Sequence, residues 1–362
     1  MHRILNTKVF KVGPDHIEIR FIEEAVKVIR DGGLVVFPTE TVYGLGADTF
    51  NRGAIVKIFE AKGRPLDNPL IIHIASTDQL EEVVDLKFVK LDVYRLMEKF
   101  WPGPLTFILP KAQHVPYEVT AGKNTVAVRM PAHPVALKLI ELSRTPIAAP
   151  SANLSGKPSP TLPEHVIKDM MGRVDVILDS GETLYGVEST IIDLTRDPPI
   201  LLRPGAVPVE EVEKYLQKKI VVPDFARGIA EAPEPLSPGM KYRHYAPNTP
   251  LIVLEAEDYS NLQGYVEKIL EYISVLKSSG KKILVLASRE TENLYRGLDA
   301  NVLVLGSRKN LFEIAKNLFP ILRSIDELGV DLAVVEGFEE RGLGLTIMNR
   351  LRKASGYNIV KI

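Results

Sequence analysis

At 362 residues the chain is longer than one comfortable core and about right for two domains. A formal net charge of −1, with 25% charged residues, argues against wholesale nucleic-acid binding, although a local basic patch fits inside a balanced total. The absence of cysteine excludes disulfides, thiolate catalysis and cysteine-ligated zinc. No apolar run approaches the roughly 20 residues of a membrane span. The N-terminal stretch MHRILNTKVFKVGPD lacks the apolar core of a signal peptide, so a cytoplasmic protein is expected.

Periodicity places the elements. Ile17, Phe21, Ile22, Ala25, Val26 and Ile29 fall at helical spacing over 17–30, and Gly32-Gly33 ends the run. Residues 34–37 are a short, wholly apolar strand. The segment PTETVYGLGADTFNRG that follows reads as a Thr- and Gly-rich turn. A helix is predicted over 52–61, with Ile55, Ile58 and Phe59 on one side, and a strand over 70–75. Residues 88–100 read as a helix stopped by Trp101-Pro102-Gly103-Pro104. Strands are predicted over 105–109, 125–130, 146–150, 174–178, 190–194 and 200–203. Helices are predicted over 134–143, 163–171 and 209–217. Uneven alternation of strand and helix points to an α/β domain over 1–219 with a mixed, twisted sheet.

The texture changes over 220–249, which is proline-rich and without periodicity. Its length suits a linker or lid, and 237–247 is too rich in cations and aromatics for a spacer. Over 250–362 strand and helix alternate regularly, predicting a smaller Rossmann-like parallel domain. No GxGxxG follows its first strand, so dinucleotide binding there is unsupported.

The chemistry-bearing residues of the first domain cluster at strand ends. Lys62 and Arg64 follow a helix, with Asn68 just beyond. His73 interrupts an apolar strand, either as a core histidine bonded to backbone or as a polar group facing a pocket. Arg129, near the end of another apolar strand, needs an anion, whether an internal Asp or Glu or a substrate carboxylate or phosphate. Ser151 and Asn153 follow a strand, Ser189 opens one and Arg203 ends one. If these cations converge, the pocket suits a nucleotide triphosphate plus an acid. Glu40, Asp48, Asp179, Glu188 and Asp193 show no spacing that marks a carboxylate pair. No P-loop, HExxH, GxSxG or kinase signature occurs.

The segments PTETVYGLGAD, KGRP with NPLIIHI, WPGPLT, TVAVRMPAHP, PIAAPSANLSGKPSPT, GVESTIIDL and LRPGAV occur in one order over roughly 17–216 and resemble the YrdC-like domain. SPGMKYRHYAP, followed by a Rossmann-like region, resembles the two-domain L-threonylcarbamoyladenylate synthase family. That resemblance implies condensation of L-threonine, bicarbonate and ATP to threonylcarbamoyl-AMP, with release of pyrophosphate. A separate complex would then transfer the group to adenosine 37 of tRNA. It also implies residue roles. Arg129 would hold the threonine carboxylate, with Thr41, His73 and Ser189 fixing its other polar groups. Lys62 and Arg64 would supply charge stabilisation at the ATP phosphates, helped by Asn68, Thr125, Ser151, Asn153 and Ser159. Arg203 would lie along the nucleotide, with His244 and Tyr245 closing over it. Mg²⁺ is expected with ATP, held by phosphate oxygens and water and by no protein ligand. The base for the threonine amine is not named. A nucleic-acid-binding module is the rival from another class, and direct tRNA contact stays open. The YrdC-like domain of hydrogenase-maturation carbamoyltransferases is the rival of the same class, but those proteins carry further modules that this cysteine-free chain lacks.

Overall fold

The computed structural model describes residues 4–362 except 233, 235, 236, 238–244 and 299. The described residues divide into two compact units. One lies within Met1–Ser155, Ser159–Ala226 and Glu231–Lys241, and the other within Gly156–Pro158, Arg227–Ala230 and Tyr242–Ile362. No helix among the described residues is long and apolar enough to cross a membrane.

The first unit is built on one ten-stranded mixed sheet. Its strands are β1 (Lys8–Lys11), β2 (Val35–Phe37), β3 (Gly44–Asp48), β4 (Ile71–His73), β5 (Leu105–Pro110), β6 (Thr125–Arg129), β7 (Ile147–Ala149), β8 (Val176–Asp179), β9 (Thr190–Asp193) and β10 (Ile200–Arg203). They lie in the order β1-β8-β2-β3-β7-β4-β6-β5-β9-β10. The mixed sheet expected from the sequence is present. Two strands escaped that reading. β1 is a mostly exposed edge strand of KVFK with no apolar alternation to announce it. β3 lies inside the predicted turn, and its glycines are there for packing. A Cβ on Gly46 would stand 2.7 Å from Ile147 Cγ2 and from Phe37 Cε1, so only glycine lets β3 run beneath the Phe37 ring. The helix predicted over 88–100 is also shorter: a 3-10 turn (Leu86–Phe88) precedes a helix (Leu91–Phe100).

The register assigns the sheet's faces. Val35, Phe37, Ile147 and Ala149 pack with Ile22, Ala25 and Ile29 of the helix Ile19–Arg30 and with Val135, Leu139 and Ile140 of the helix Pro134–Ser143. The neighbouring strands continue the same face, because laterally paired residues point the same way. There Ile71, Ala127, Ile108 and Ile191 form a smaller apolar cluster with Leu202 and Ala232. His73 and Arg129 lie two positions on from Ile71 and Ala127, and Thr106 two positions before Ile108. All three therefore face the same side. Two helices cover one half of this face, and the other half carries the polar residues described below.

In the second unit, β11 (Leu251–Glu255), β12 (Ile283–Ser288), β13 (Asn301–Gly306), β14 (Leu332–Glu336) and β15 (Ile359–Lys361) form a five-stranded, all-parallel sheet in the order β13-β12-β14-β11-β15. Its buried hub is Glu336, at the end of β14. The carboxylate accepts from the Ser288, Thr291 and Tyr295 hydroxyls and pairs with Arg308 at 2.8 Å. The Arg308 guanidinium lies over the rings of Phe338, Tyr259 and Tyr265. A buried charge this fully bonded reads as internal architecture.

Candidate active site

Register brings the polar residues into line. His73 pairs with Arg129 across β4 and β6. One step beyond the Phe107–Val128 pair, Thr106 lies opposite Arg129, and β9 then places Ile191 beside Thr106, with Ser189 two positions earlier and its Oγ against Thr106 Oγ1. Arg203 pairs with Ile191 at the next strand. A transverse row of His73, Arg129, Thr106, Ile191 and Arg203 thus crosses five strands on one face, carrying two buried cations and a buried hydroxyl, with the Ser189 hydroxyl lying against it.

The turn 39–42 after β2 supplies the other side of the row. Thr39 folds it: its Oγ1 accepts from the backbone N–H of Thr41 and of Val42, each at 3.2 Å, and donates to the Val42 carbonyl at 2.6 Å. With that proton committed, the Thr41 hydroxyl donates to Thr39 Oγ1 at 2.8 Å. Thr41 Oγ1 in turn accepts from Arg129 Nη1 at 2.9 Å. Arg129 Nε donates to the Gly103 carbonyl at 3.2 Å, and Nη2 meets Glu40 Oε1 at 2.6 Å. Arg129 and Glu40 are only 3% and 5% exposed, so this is a buried ion pair. The anion that Arg129 requires is therefore internal in this structure.

His73 is buried, and its Nδ1–H donates to the Ile71 carbonyl at 3.1 Å. Burial first, and then the Arg129 guanidinium, hold its pKa down to about 3, against a weaker opposing pull from the Ile71 and Ile147 carbonyls. The imidazole is neutral near pH 7. As pH falls the unfolded chain takes up the proton before the folded one does. The stability contributed by neutral His73 is thus complete above about pH 6.5 and is lost progressively toward about pH 3. The slope of that loss reaches about 1.4 kcal/mol per pH unit. Urea midpoints from pH 7 to pH 4 are expected to fall less steeply for His73→Gln than for the wild type. Equal slopes would remove His73 as the cause.

Farther along the row, Ser189 and Arg203 interlock. Arg203 Nη2 donates to the Ser189 carbonyl at 2.9 Å and to its Oγ at 3.1 Å, and Ser189 Oγ lies 2.7 Å from Thr106 Oγ1. Beside them Ser159 donates to Glu188 Oε1 at 2.7 Å.

A second group gathers around Lys62, the last residue of the helix Arg52–Lys62, which Gly63 ends in the left-handed conformation. Lys62 Nζ donates to the Ser151 carbonyl and, at 2.6 Å, to the Asn153 carbonyl. The Lys62 carbonyl accepts from Ser155 N–H at 2.9 Å. Ser151 Oγ donates to Asn153 Oδ1 at 2.5 Å. The ammonium therefore ties down the loop that carries both polar side chains. Arg64 Nη2 donates to the Pro69 carbonyl at 3.2 Å, and Asn68 between them is 1% exposed. Asn68 Oδ1 has no hydrogen-bond donor among the described residues. Thr125 opens β6, half-buried, opposite Pro110.

The two groups meet at one segment. The Tyr43 carbonyl, two residues after Thr41, accepts from Ala152 N–H at 2.8 Å, and Gly44 bridges to Ser151. The residues 39–44 therefore touch both the arginine row and the lysine loop. Tyr245 lies in the second unit, its ring stacked on Phe319 at 5.2 Å with Arg350 5.1 Å from its centroid. His244 lies outside the described residues. Sequence reasoning singled out neither Thr106 nor Glu40 for the site. The one signal for Glu40 was indirect: a buried arginine demands an anion, but nothing in the spacing says which of five carboxylates supplies it.

Comparison with known proteins agrees with this architecture. A family model described as "Telomere recombination" matches residues 27–205, and one described as "Threonylcarbamoyl-AMP synthase, C-terminal domain" matches residues 207–356. The threonylcarbamoyl-AMP synthase of Pyrococcus abyssi is 52% identical over 350 residues, covering 96% of this chain and 98% of its own. The Bacillus subtilis threonylcarbamoyl-AMP synthase is 46% identical, covering 94% of each chain. The crystal structure of P. abyssi Sua5 complexed with L-threonine superposes with a TM-score of 0.88 at 50% identity, over 99% of both chains. With both of its units matched in order along nearly its whole length, the chain belongs to the two-domain threonylcarbamoyl-AMP synthase family of nucleotidyltransferase-type enzymes.

Proposed function

We propose that this protein condenses L-threonine, bicarbonate and ATP into threonylcarbamoyl-AMP and pyrophosphate. The product then serves N6-threonylcarbamoyladenosine formation at position 37 of tRNAs, through a separate transfer complex. The observation that carries the reading is the row of Arg129 and Arg203, with neighbouring hydroxyls and a neutral imidazole, on one face of a largely apolar sheet. In this reading Arg129 takes the threonine carboxylate, while Thr41, neutral His73 and Ser189 fix its other polar groups. The nucleotide lies toward Lys62, Arg64, Asn68, Thr125, Ser151, Asn153, Ser159 and Arg203. Fixed cations and backbone-tethered loops stabilise charge that develops at phosphorus without having to reorganise, and a carbamate oxygen held in line with the α-phosphate needs no covalent enzyme intermediate. Mg²⁺ accompanies the triphosphate, bound through phosphate oxygens and water, as suits a hard cation that keeps its hydration shell.

Pyrophosphate release from ATP, measured with each amino acid and with or without bicarbonate, tests the proposal. Release is expected with L-threonine and bicarbonate together. Release that needs neither would sink the reading. Lys62→Met separates the lysine's two roles. It removes the donor to the Ser151 and Asn153 carbonyls, and pyrophosphate release is expected to fall at least about a hundredfold, the scale of losing one fixed charge at a reacting phosphate. Threonine binding, measured by calorimetry without ATP, is expected to change less than about threefold. A matching loss in both would assign Lys62 to general folding instead.

A further inference from the structure

Glu40 lies against the arginine row, and the reading above leaves its carboxylate unused. It is 5% exposed, yet neither carboxylate oxygen has a hydrogen bond from any described residue. Its only close partner among them is Arg129 Nη2, at 2.6 Å, and that nitrogen also lacks an aligned hydrogen bond. A buried ion pair kept for architecture is normally hydrogen-bonded throughout, because the desolvation cost is otherwise unmet. The Glu336–Arg308 pair of the second unit shows that pattern, with the Ser288, Thr291 and Tyr295 hydroxyls all donating to the acid. The Glu40–Arg129 pair has matched charges, but among the described residues Glu40 Oε1 and Oε2 and Arg129 Nη2 lack aligned hydrogen bonds.

The missing bonds have a defined shape. Arg129 is held by Gly103 through Nε and by Thr41 through Nη1, which leaves Nη2 directed at the acid. Glu40 is held by its backbone: its carbonyl accepts from Tyr185 N–H at 2.9 Å, inside the turn that Thr39 folds. Its side chain accepts no aligned hydrogen bond from the described residues. A ligand completing this pair must bring an anion for Nη2 and, one or two atoms away, a cation with several N–H donors for the carboxylate. An α-amino acid zwitterion is that ligand.

We infer that Glu40 is the seat of the α-ammonium group of the amino-acid substrate, so that the Arg129–Glu40 pair opens to admit the zwitterion and selects amino acids against otherwise identical hydroxy acids. This deepens the proposed function and rests on its placement of the threonine carboxylate at Arg129. Glu40 is then a specificity-determining contact. It holds the nitrogen that must later receive the carboxyl group in a fixed place beside the threonine carboxylate.

Calorimetric titration of the full chain with L-threonine and with 3-hydroxybutanoate, which lacks only the amino group, tests the inference. The wild type is expected to bind threonine and to prefer it. Glu40→Gln, nearly isosteric, is expected to weaken threonine at least about tenfold, the loss of a charge-assisted hydrogen bond to a cation. It is expected to leave 3-hydroxybutanoate within about threefold or to tighten it, because the carboxylate no longer competes with Glu40 for Arg129. Equal weakening of both ligands, or no weakening of threonine, would overturn the inference. Glu40→Asp keeps the charge and supplies a second reading should the Gln variant fold poorly. It is expected to retain the preference for threonine, and loss of that preference would count equally against the idea. A wild-type protein that binds no threonine would instead remove the functional reading itself.

Discussion

Replacing Arg129 by methionine is expected to lower stability by about 3–5 kcal/mol and to abolish measurable threonine binding. Methionine fills much of the same volume, so the cost is not chiefly a cavity. It arises because Glu40, 5% exposed, loses the only cation that lies against it among the described residues. Gly103 and Thr41 also lose their donor. The double variant Arg129→Met with Glu40→Gln removes both charges together and is expected to recover most of the stability without recovering binding. Urea denaturation gives the first quantity and calorimetric titration the second. A double variant no more stable than Arg129→Met alone would show that the pair's charges are not what the single variant exposes.

Gly205→Ala is expected to be the most damaging single methyl in the first unit. A Cβ at this position would stand 2.3 Å from the Ser189 carbonyl carbon and the Thr190 nitrogen, and 2.4 Å from the Glu188 carbonyl oxygen. All three are backbone atoms, and the two segments are already joined there by Ala206 N–H to the Glu188 carbonyl and by Thr190 Oγ1 to the Val207 carbonyl. Neither segment can yield by turning a side chain, so the strands must part. A loss of about 3 kcal/mol or more is expected, the upper range of overpacking. Because Arg203 grips Ser189 through that same junction, threonine binding is expected to fall with it. Gly63→Ala provides the contrast. Nothing lies within 4 Å of its added methyl, and only the left-handed backbone at φ 62° resists it. That strain costs about 1–2 kcal/mol. Thermal or urea unfolding of the two variants side by side checks the difference, and an equal loss would contradict the steric account.

Much of this was legible in the chain itself. The runs at β2, β4, β5, β6, β9 and β10 are short and mostly apolar because both faces of the sheet are buried, and such runs declare strands wherever they occur. The second unit was clearer still, since a parallel sheet forces a regular alternation of strand and crossover. β3 was not legible, because Gly44 and Gly46 look alike whether they turn the chain or make room for Phe37. Arg129 was marked as needing an anion, but Glu40 lies 89 positions away, and no local pattern encodes which carboxylate a twisted sheet brings to it. Lys62 was visible only as a cation following a helix. That its ammonium binds the loop's carbonyls, and so fixes where Ser151 and Asn153 point, depends on the fold.

Incubating the protein with ATP, L-threonine and isotopically labelled bicarbonate, then resolving the nucleotide products by mass, tests the central claim most directly. One labelled product with the mass of threonylcarbamoyl-AMP is expected, in equal amount to the pyrophosphate released, and it should be absent when threonine is omitted. An unlabelled threonyl adenylate, or pyrophosphate release with no label entering a nucleotide, would contradict it.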